Sequence, residues 1–159
     1  MRLMLAFVIV AVAGCLLSAP SWAYSEKAAV AFVEKTGLGN NLERMALRVA
    51  MNTQTYRMLD ADIGKSDAAN LIKKHIRIVT QSYQNEWNDN LAEAYLDHFS
   101  IEELNSIYTE KKSSPYIEKF QAKQKDVGAS MQVRSKVLLQ KVVAEALKNA
   151  FSERAAGKK

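Results

Sequence analysis

Cysteine, proline and histidine are scarce in this sequence, and each scarcity excludes a class of protein. A single cysteine in 159 residues cannot form a disulfide within the chain, so the hydrophobic core must hold the fold. His75 and His98 are far apart and have no HExxH motif or cysteine partner, which argues against a zinc site. With two prolines, six glycines and no alternating β-branched run, the chain shows no sign of strands. We therefore expect an all-α fold with no metal and no cofactor.

The first 23 residues have the pattern of a secretory signal peptide. Arg2 precedes an uncharged apolar run from Leu3 to Leu17, Pro20 breaks this run, and Ser21-Trp22-Ala23 resembles a cleavage site. The pattern predicts cleavage after Ala23 and a periplasmic or secreted protein. A transmembrane anchor is the alternative, but the run is short and ends in a cleavage-like site.

Cys15 supports a second interpretation of the same segment. Val12-Ala13-Gly14-Cys15 is similar to the lipobox of bacterial lipoproteins, in which the cysteine becomes a lipidated N-terminus. Leu16 and Leu17 continue the hydrophobic run beyond this cysteine, which favours simple cleavage after Ala23. An outer-membrane lipoprotein anchored through Cys15 is the alternative.

Charge is distributed unevenly along the chain. From Tyr24 to Glu110 there are nine basic and thirteen acidic residues, whereas Lys111 to Lys159 contains twelve basic and four acidic residues. A basic end can steer association with lipid head groups, envelope polymers or an acidic protein. A solvated helix surface is the alternative, because such lysines are usually exposed. The candidate partner-binding face consists of Lys119, Lys123, Arg134, Lys136, Lys141 and Lys148.

Apolar residues recur at helical spacing and predict a single domain, residues 24–152, that forms a bundle of five to six helices. Ser25 is expected to cap the first helix. Asn40 and Glu43 resemble a capping box for the second helix, which Asn52 interrupts.

Two polar segments predict breaks in the middle of the chain. Asp60 to Ser66 has the composition of a loop, after which Ser66 or Asp67 caps a third helix. The run Asn88-Asp89-Asn90 is expected to end that helix, and Asn90 with Glu93 to begin a fourth.

The clearest local signals lie at the start of the fifth predicted helix. Ser100 and Glu103 have the spacing of a capping box, in which each side chain bonds the other residue's backbone N–H. Phe99 and Leu104 have the spacing of a hydrophobic staple across this cap. These four residues predict a well-defined helix start.

Ser114 and Pro115 predict a sharp corner after the fifth helix. Proline disfavours helix at the residue before it but fits the first position of a new helix, so Ser114 becomes the expected cap. The last helix then runs from Pro115 to about Ser152, and either kinks at Gly128 or projects from the bundle. Residues 153–159 are expected to form a frayed basic tail.

The sequence contains no credible catalytic constellation. Asp97, His98 and Ser100 are triad residue types, but neighbouring helix positions project in different directions and Ser100 is explained as a cap. Gly64-Lys65-Ser66 lacks the first glycine and the preceding strand of a phosphate-binding loop. Asp60-Ala61-Asp62 lacks the glycine and glutamate of a calcium-binding loop. We therefore expect no enzymatic activity.

The segment from Tyr95 to about Leu138 resembles a bacterial family named domain of unknown function 2059. Its pattern corresponds here to Tyr95, Phe99, Ser100-Ile101-Glu102-Glu103-Leu104, Ile107-Tyr108 and Ser114-Pro115. The sequence departs from the pattern with Ile107 in place of an aromatic residue and Tyr116 in place of a small one. The resemblance implies a small exported helical protein, and it implies no site residues because the family has no established activity.

These observations favour an exported, non-enzymatic helical module of the periplasm. We expect it to bind a protein or an anionic envelope component through its basic C-terminal helix. A peripheral membrane protein that uses this helix, or a lipid on Cys15, is the first alternative. An envelope hydrolase is the second. We expect no nucleic-acid partner, because aromatic and basic residues do not interleave as they do in single-strand binders.

Overall fold

The structure is a computed structural model that describes residues 21–157. This range contains no strand, and the predicted all-α fold is confirmed. The apolar run to Leu17, including Cys15, and the last two lysines lie outside the described residues. The elements in order are α1 (Ser21–Thr36), α2 (Leu42–Met51), α3 (Gln54–Ile63), α4 (Lys65–Leu96), α5 (Ile101–Glu110), a 3₁₀ turn (Lys111–Ser113) and α6 (Ile117–Ala156).

The two longest helices, α4 and α6, lie antiparallel and form the centre of the bundle. Lys74 in the first half of α4 contacts Glu153 near the end of α6, whereas Asn90 near the end of α4 contacts Ser135, which lies earlier in α6. The two helices therefore run in opposite directions. Helices α1, α2 and α3 pack on α4, and α5 packs on α1. Because α6 runs alongside α4 over most of its length, the predicted long helix is integral to the bundle. It is continuous through Gly128.

Four aromatic rings from four parts of the chain meet at the end of the bundle nearest the corner. Tyr95 of α4 stacks on Phe120 of α6 at 5.8 Å between ring centroids, and its edge contacts Phe32 of α1 at 5.5 Å. Phe99, which precedes α5, completes the group at 6.1 Å from Tyr95. Aromatic pairs of this geometry add stability beyond the area they bury. This cluster therefore fixes four segments relative to one another.

The predicted capping box at the start of α5 is confirmed. Ser100 Oγ accepts the N–H of Glu103 at 3.3 Å, and Glu103 Oε2 accepts the N–H of Ser100 at 2.9 Å. Phe99 and Leu104 are both buried beside it. Hydrogen bonds from Lys119 hold the pKa of the Glu103 carboxyl below its usual value, and the Ser100 amide adds to this effect.

Replacing Ser100 by alanine should lower the free energy of unfolding by about 1 kcal/mol, because the Glu103 N–H in the first turn of α5 loses its side-chain acceptor. Urea unfolding followed by circular dichroism measures this change. Ser113→Ala is the matched control, since Ser113 is exposed in the 3₁₀ turn. Equal unfolding midpoints for the two variants would show that the capping box contributes no stability.

The corner at Ser114 and Pro115 is present, but α6 begins later than predicted, at Ile117. Ser114 is not the cap of α6. It is buried, its Oγ accepts the N–H of Tyr116 at 3.2 Å, and it shares a hydrogen bond of 2.8 Å with Ser106 of α5. Ser114 therefore ties the corner back to α5.

The predicted interruptions of α4 are wrong. Asn88 accepts a hydrogen bond from Gln84 at 2.8 Å, and Asn90 donates one to Ser135 at 3.1 Å. Because these amides bond other side chains, they do not compete for the helix backbone. The predicted loop from Asp60 to Ser66 is also wrong, since only Gly64, with a φ of 84°, separates α3 from α4.

The predicted start of α2 at Asn40 is wrong. Asn41 rather than Asn40 precedes α2, and its side chain makes no cap hydrogen bond. At Asn52, where the sequence predicts an interruption, the helix ends completely and a separate helix follows. Thr53 caps α3 by accepting the N–H of Tyr56 at 3.1 Å.

Both terminal helices extend beyond their predicted limits. Helix α1 begins four residues before Ser25, and α6 continues four residues beyond Ser152. Arg154 donates to Asp62 at 2.9 Å, which joins the end of α6 to α3. The prediction of a frayed tail is therefore wrong for residues 153–156.

Candidate ligand-binding groove

A half-enclosed groove of about 800 Å³ lies between α2, α4 and α6. Helix α4 contributes Trp87 and Leu91, helix α2 contributes Met45 and Val49, and α6 lines the groove from Gln124 to Gln140. Sites for small molecules typically have volumes of roughly 300–1,000 Å³ and mostly apolar linings. The groove therefore has the size and the character of a ligand site.

A glycine and two methionines keep this groove open and adaptable. A Cβ added at Gly128 would meet no atom within 4 Å, so the space in front of this residue is free. Met45 of α2 and Met131 of α6 both line the groove, and their flexible thioether side chains can adjust to a ligand. Val49, which the sequence predicts to face inward, is 37% exposed because it faces this open space.

The polar groups around the aromatic part of the lining already have partners. Asn41 accepts the indole N–H of Trp87 at 2.9 Å, which explains why Asn41 does not cap α2. Tyr95 donates its hydroxyl to Gln124 at 3.3 Å. Burial raises the pKa of the Tyr95 phenol, so the ring stays neutral. These bonds fix the two rings, which are buried in the wall of the groove.

Lys136 is the one charged residue among the described residues that line the groove. It is exposed, and within residues 21–157 its ammonium group makes none of the ion pairs found in the bundle. No carboxylate lines the same groove. An anionic group on a ligand would therefore meet an available cation and no repelling charge.

The predicted basic face does not form one surface. At about 100° per residue, five of its members fall within an arc of about 60° on α6. Lys136 projects about 100° or more away from them, on the side of the groove. The five that share an arc are Lys119, Lys123, Arg134, Lys141 and Lys148.

Most of that arc is partly neutralised by groups of the bundle itself. Because α6 packs against the acidic part of the chain, the separation of charge along the sequence is largely lost in the fold. Four of the cations that were predicted to bind an external partner contact residues of this chain instead. The contacts are Lys119 with Glu103, Lys123 with Asp126, Arg134 with Glu93 and Asp97, and Lys141 with the ring of Tyr83.

A second hollow, of about 700 Å³, lies at the end of α5 and is more open. Lys35, Lys111 and Lys112 line it, and the Lys35 ammonium lies 5.6 Å from the centre of the Tyr108 ring. Helical spacing predicts that Tyr108 faces inward with Leu104 and Ile107, but Tyr108 is 40% exposed, so this prediction is wrong. This hollow has less apolar lining than the groove.

The residue types of a catalytic triad do not meet. Asp97 pairs with Arg134, His98 lies 3.5 Å from Ser130, and Ser100 caps α5. Within residues 21–157, no cluster of three or more histidine, cysteine, aspartate or glutamate side chains is arranged to hold a metal. In the same range, no helix combines the length and the apolar character needed to span a membrane.

Comparison with protein-family models, curated proteins and solved structures finds no match for this chain. The resemblance of the segment from Tyr95 to Leu138 to an exported family therefore stays a prediction. Of the groove residues, sequence reasoning assigned a binding role to Lys136 alone. Helical spacing alone predicts inward positions for Trp87, Met45 and Val49, and a kink or a projecting helix at Gly128.

Proposed function

We propose that this chain is an exported, non-enzymatic binding protein of the bacterial envelope and that it binds its ligand in the groove between α2, α4 and α6. The observation that carries the proposal is an apolar groove of ligand size with the available cation Lys136 at its edge. The signal-peptide pattern before Tyr24 and the resemblance to an exported family support the location.

The groove is a better binding site than the basic face of α6. Four of the six cations of that face already contact a carboxylate or a ring, so a partner would have to compete with these contacts. Exposed ion pairs contribute little, typically up to about 1 kcal/mol each. Burial of apolar surface contributes roughly 25 cal/mol per Å², and the lining of the groove is mostly apolar.

Gly128→Leu should close the groove without harming the fold. The leucine side chain would enter the open space in front of Gly128, and replacing glycine in a helix interior should raise stability by up to about 1 kcal/mol. We expect the native protein to bind the uncharged dye N-phenyl-1-naphthylamine saturably, with increased dye fluorescence. Affinity for the dye should fall at least about tenfold in Gly128→Leu, since the dye and the leucine need the same volume.

Ala144→Leu is the matched control, because it adds a leucine to an exposed position of the same helix outside the groove. This variant should bind the dye as the native protein does. The proposal fails if the native protein shows no saturable binding, or if both leucine variants bind the dye equally.

A second candidate function is attachment to a membrane surface through the outer side of α6. Val133 and Val137 are 81% and 74% exposed there, and Lys141 and Lys148 project on the same side. An apolar strip beside lysines is typical of helices that bind anionic bilayers. In this case the native protein should float with anionic liposomes at low salt, and a smaller fraction should float at high salt. Little of a Val133→Ser/Val137→Ser double variant should float at either salt concentration. Equal flotation of the two proteins would reject this function.

A further inference from the structure

The shape and charge of the groove identify a class of ligand. Resting on the proposed function, we propose that the groove binds a single-chain amphiphile, with its hydrocarbon chain along α6 and its anionic head at Lys136. A free fatty acid and a lysophospholipid share this chemistry. The proposal goes beyond the groove's existence, because it names the chemistry of both ends of the ligand.

The lining and the charge of the groove favour this class of ligand. The groove follows α6 from Gln124 to Gln140, which is about 24 Å at 1.5 Å per residue. Its lining is mostly apolar, and among the described residues Lys136 is its one charged side chain. A linear hydrocarbon chain with an anionic end matches both features.

The lining has the chemistry that a hydrocarbon chain needs. Leu91, Val127, Met131 and Leu139 place apolar side chains along the groove. Val127, Met131 and Leu139 follow one another along α6, and Leu91 faces the same groove from α4, so a linear chain along α6 can contact them in turn. Since each buried methylene adds to affinity, a ligand that extends further along this lining should bind more tightly.

The position of Lys136 fixes the place of the head group. Lys136 is exposed and lies on α6 about two turns after Gly128, at the edge of the groove. An ion pair at an exposed position contributes modestly, so Lys136 should orient the ligand and the chain should supply most of the affinity. Lys125 projects in about the same direction from α6 but does not line the groove, which makes it a matched control.

The test measures binding by the fluorescence of Trp87, which lines the groove. It uses the full chain with Trp22→Phe, so that Trp87 is the only tryptophan. Octanoate, decanoate and dodecanoate below their critical micelle concentrations should bind about twofold to fourfold more tightly for each added methylene. Lauroyl lysophosphatidylglycerol is the second anionic ligand to be tested. If it binds more tightly than dodecanoate, the ligand is a lysophospholipid; if dodecanoate binds more tightly, the ligand is a free fatty acid. Dodecanol is the uncharged arm.

Lys136→Gln should weaken dodecanoate binding about twofold to fivefold and leave dodecanol binding unchanged, whereas Lys125→Gln should change neither. Gly128→Leu should abolish binding of all chains. The inference is overturned if no amphiphile binds, if affinity is independent of chain length, or if the two lysine variants behave alike. Dye binding that is lost in Gly128→Leu, together with failure of every amphiphile, would refute this inference and leave the proposed function standing. Absence of dye binding as well would refute both.

Discussion

Replacing Tyr95 by alanine should lower the free energy of unfolding by about 3–5 kcal/mol, which is typical of removing a large buried aromatic ring. Tyr95 is 2% exposed and contacts Phe32, Phe99 and Phe120, whose ring centroids lie 5.5 to 6.1 Å away. These rings come from α1, the segment before α5, and α6. Loss of Tyr95 would leave a cavity where these segments meet, so the whole bundle should weaken.

Urea unfolding followed by circular dichroism measures this effect, and Tyr95→Phe provides its control. Phenylalanine keeps the ring and loses the 3.3 Å hydrogen bond to Gln124, which should cost about 1 kcal/mol or less. A cost below about 1 kcal/mol for Tyr95→Ala would show that the aromatic cluster does not hold the bundle together. Equal costs for both variants would assign the stability to the hydroxyl instead of the ring.

Gly39→Ala should destabilise the protein by about 1–3 kcal/mol through overpacking. A Cβ at this buried position would lie 2.0 Å from Asn88 Oδ1 and 3.2 Å from a methyl group of Val33. The backbone cannot move away freely, because the Gly39 carbonyl accepts a hydrogen bond from Gln84 at 3.0 Å. The Asn88 side chain must therefore shift, and its hydrogen bond with Gln84 is strained or lost.

A double-mutant cycle tests the cause of this effect. In an Asn88→Ala background the obstructing amide is absent. Adding Gly39→Ala should therefore lower the free energy of unfolding clearly less than it does in the native protein. Gly157→Ala is the control for glycine replacement, since a Cβ there has its nearest contact at 3.7 Å and should change stability by less than about 0.5 kcal/mol. The same cost for Gly39→Ala in both backgrounds would contradict the steric explanation.

Features whose partners lie within a few residues could be predicted from the sequence. The capping box of Ser100 and Glu103 is one such feature, because both hydrogen bonds close within four residues. The continuity of α4 is the opposite case. The local sequence predicts that Asn90 ends a helix, whereas its hydrogen bond to Ser135, 45 residues away, keeps it within α4. Secondary structure was therefore predicted well where it depends on local bonds and poorly where tertiary bonds override them.

The binding groove could not be predicted, because it exists only through the packing of three helices. The free space in front of Gly128 and the exposure of Val49 depend on where α2 lies relative to α6. The ion pairs of α6 could not be predicted for the same reason, since the partners of Arg134 lie about forty residues earlier in the chain. The sequence does contain one signal for the position of Lys136. When the six cations are placed around a helix at about 100° per residue, Lys136 lies on a different side from the other five.

The central claim is that the groove is the binding site, and methionine methyl NMR tests it most directly. Met45 and Met131 line the groove, whereas Met58 is 55% exposed on α3 and outside it. On titration with N-phenyl-1-naphthylamine, whose rings shift nearby resonances, the account predicts saturable shifts of the Met45 and Met131 methyl signals and none of Met58. Shifts confined to Met58, or no saturable shift of Met45 and Met131, would contradict it.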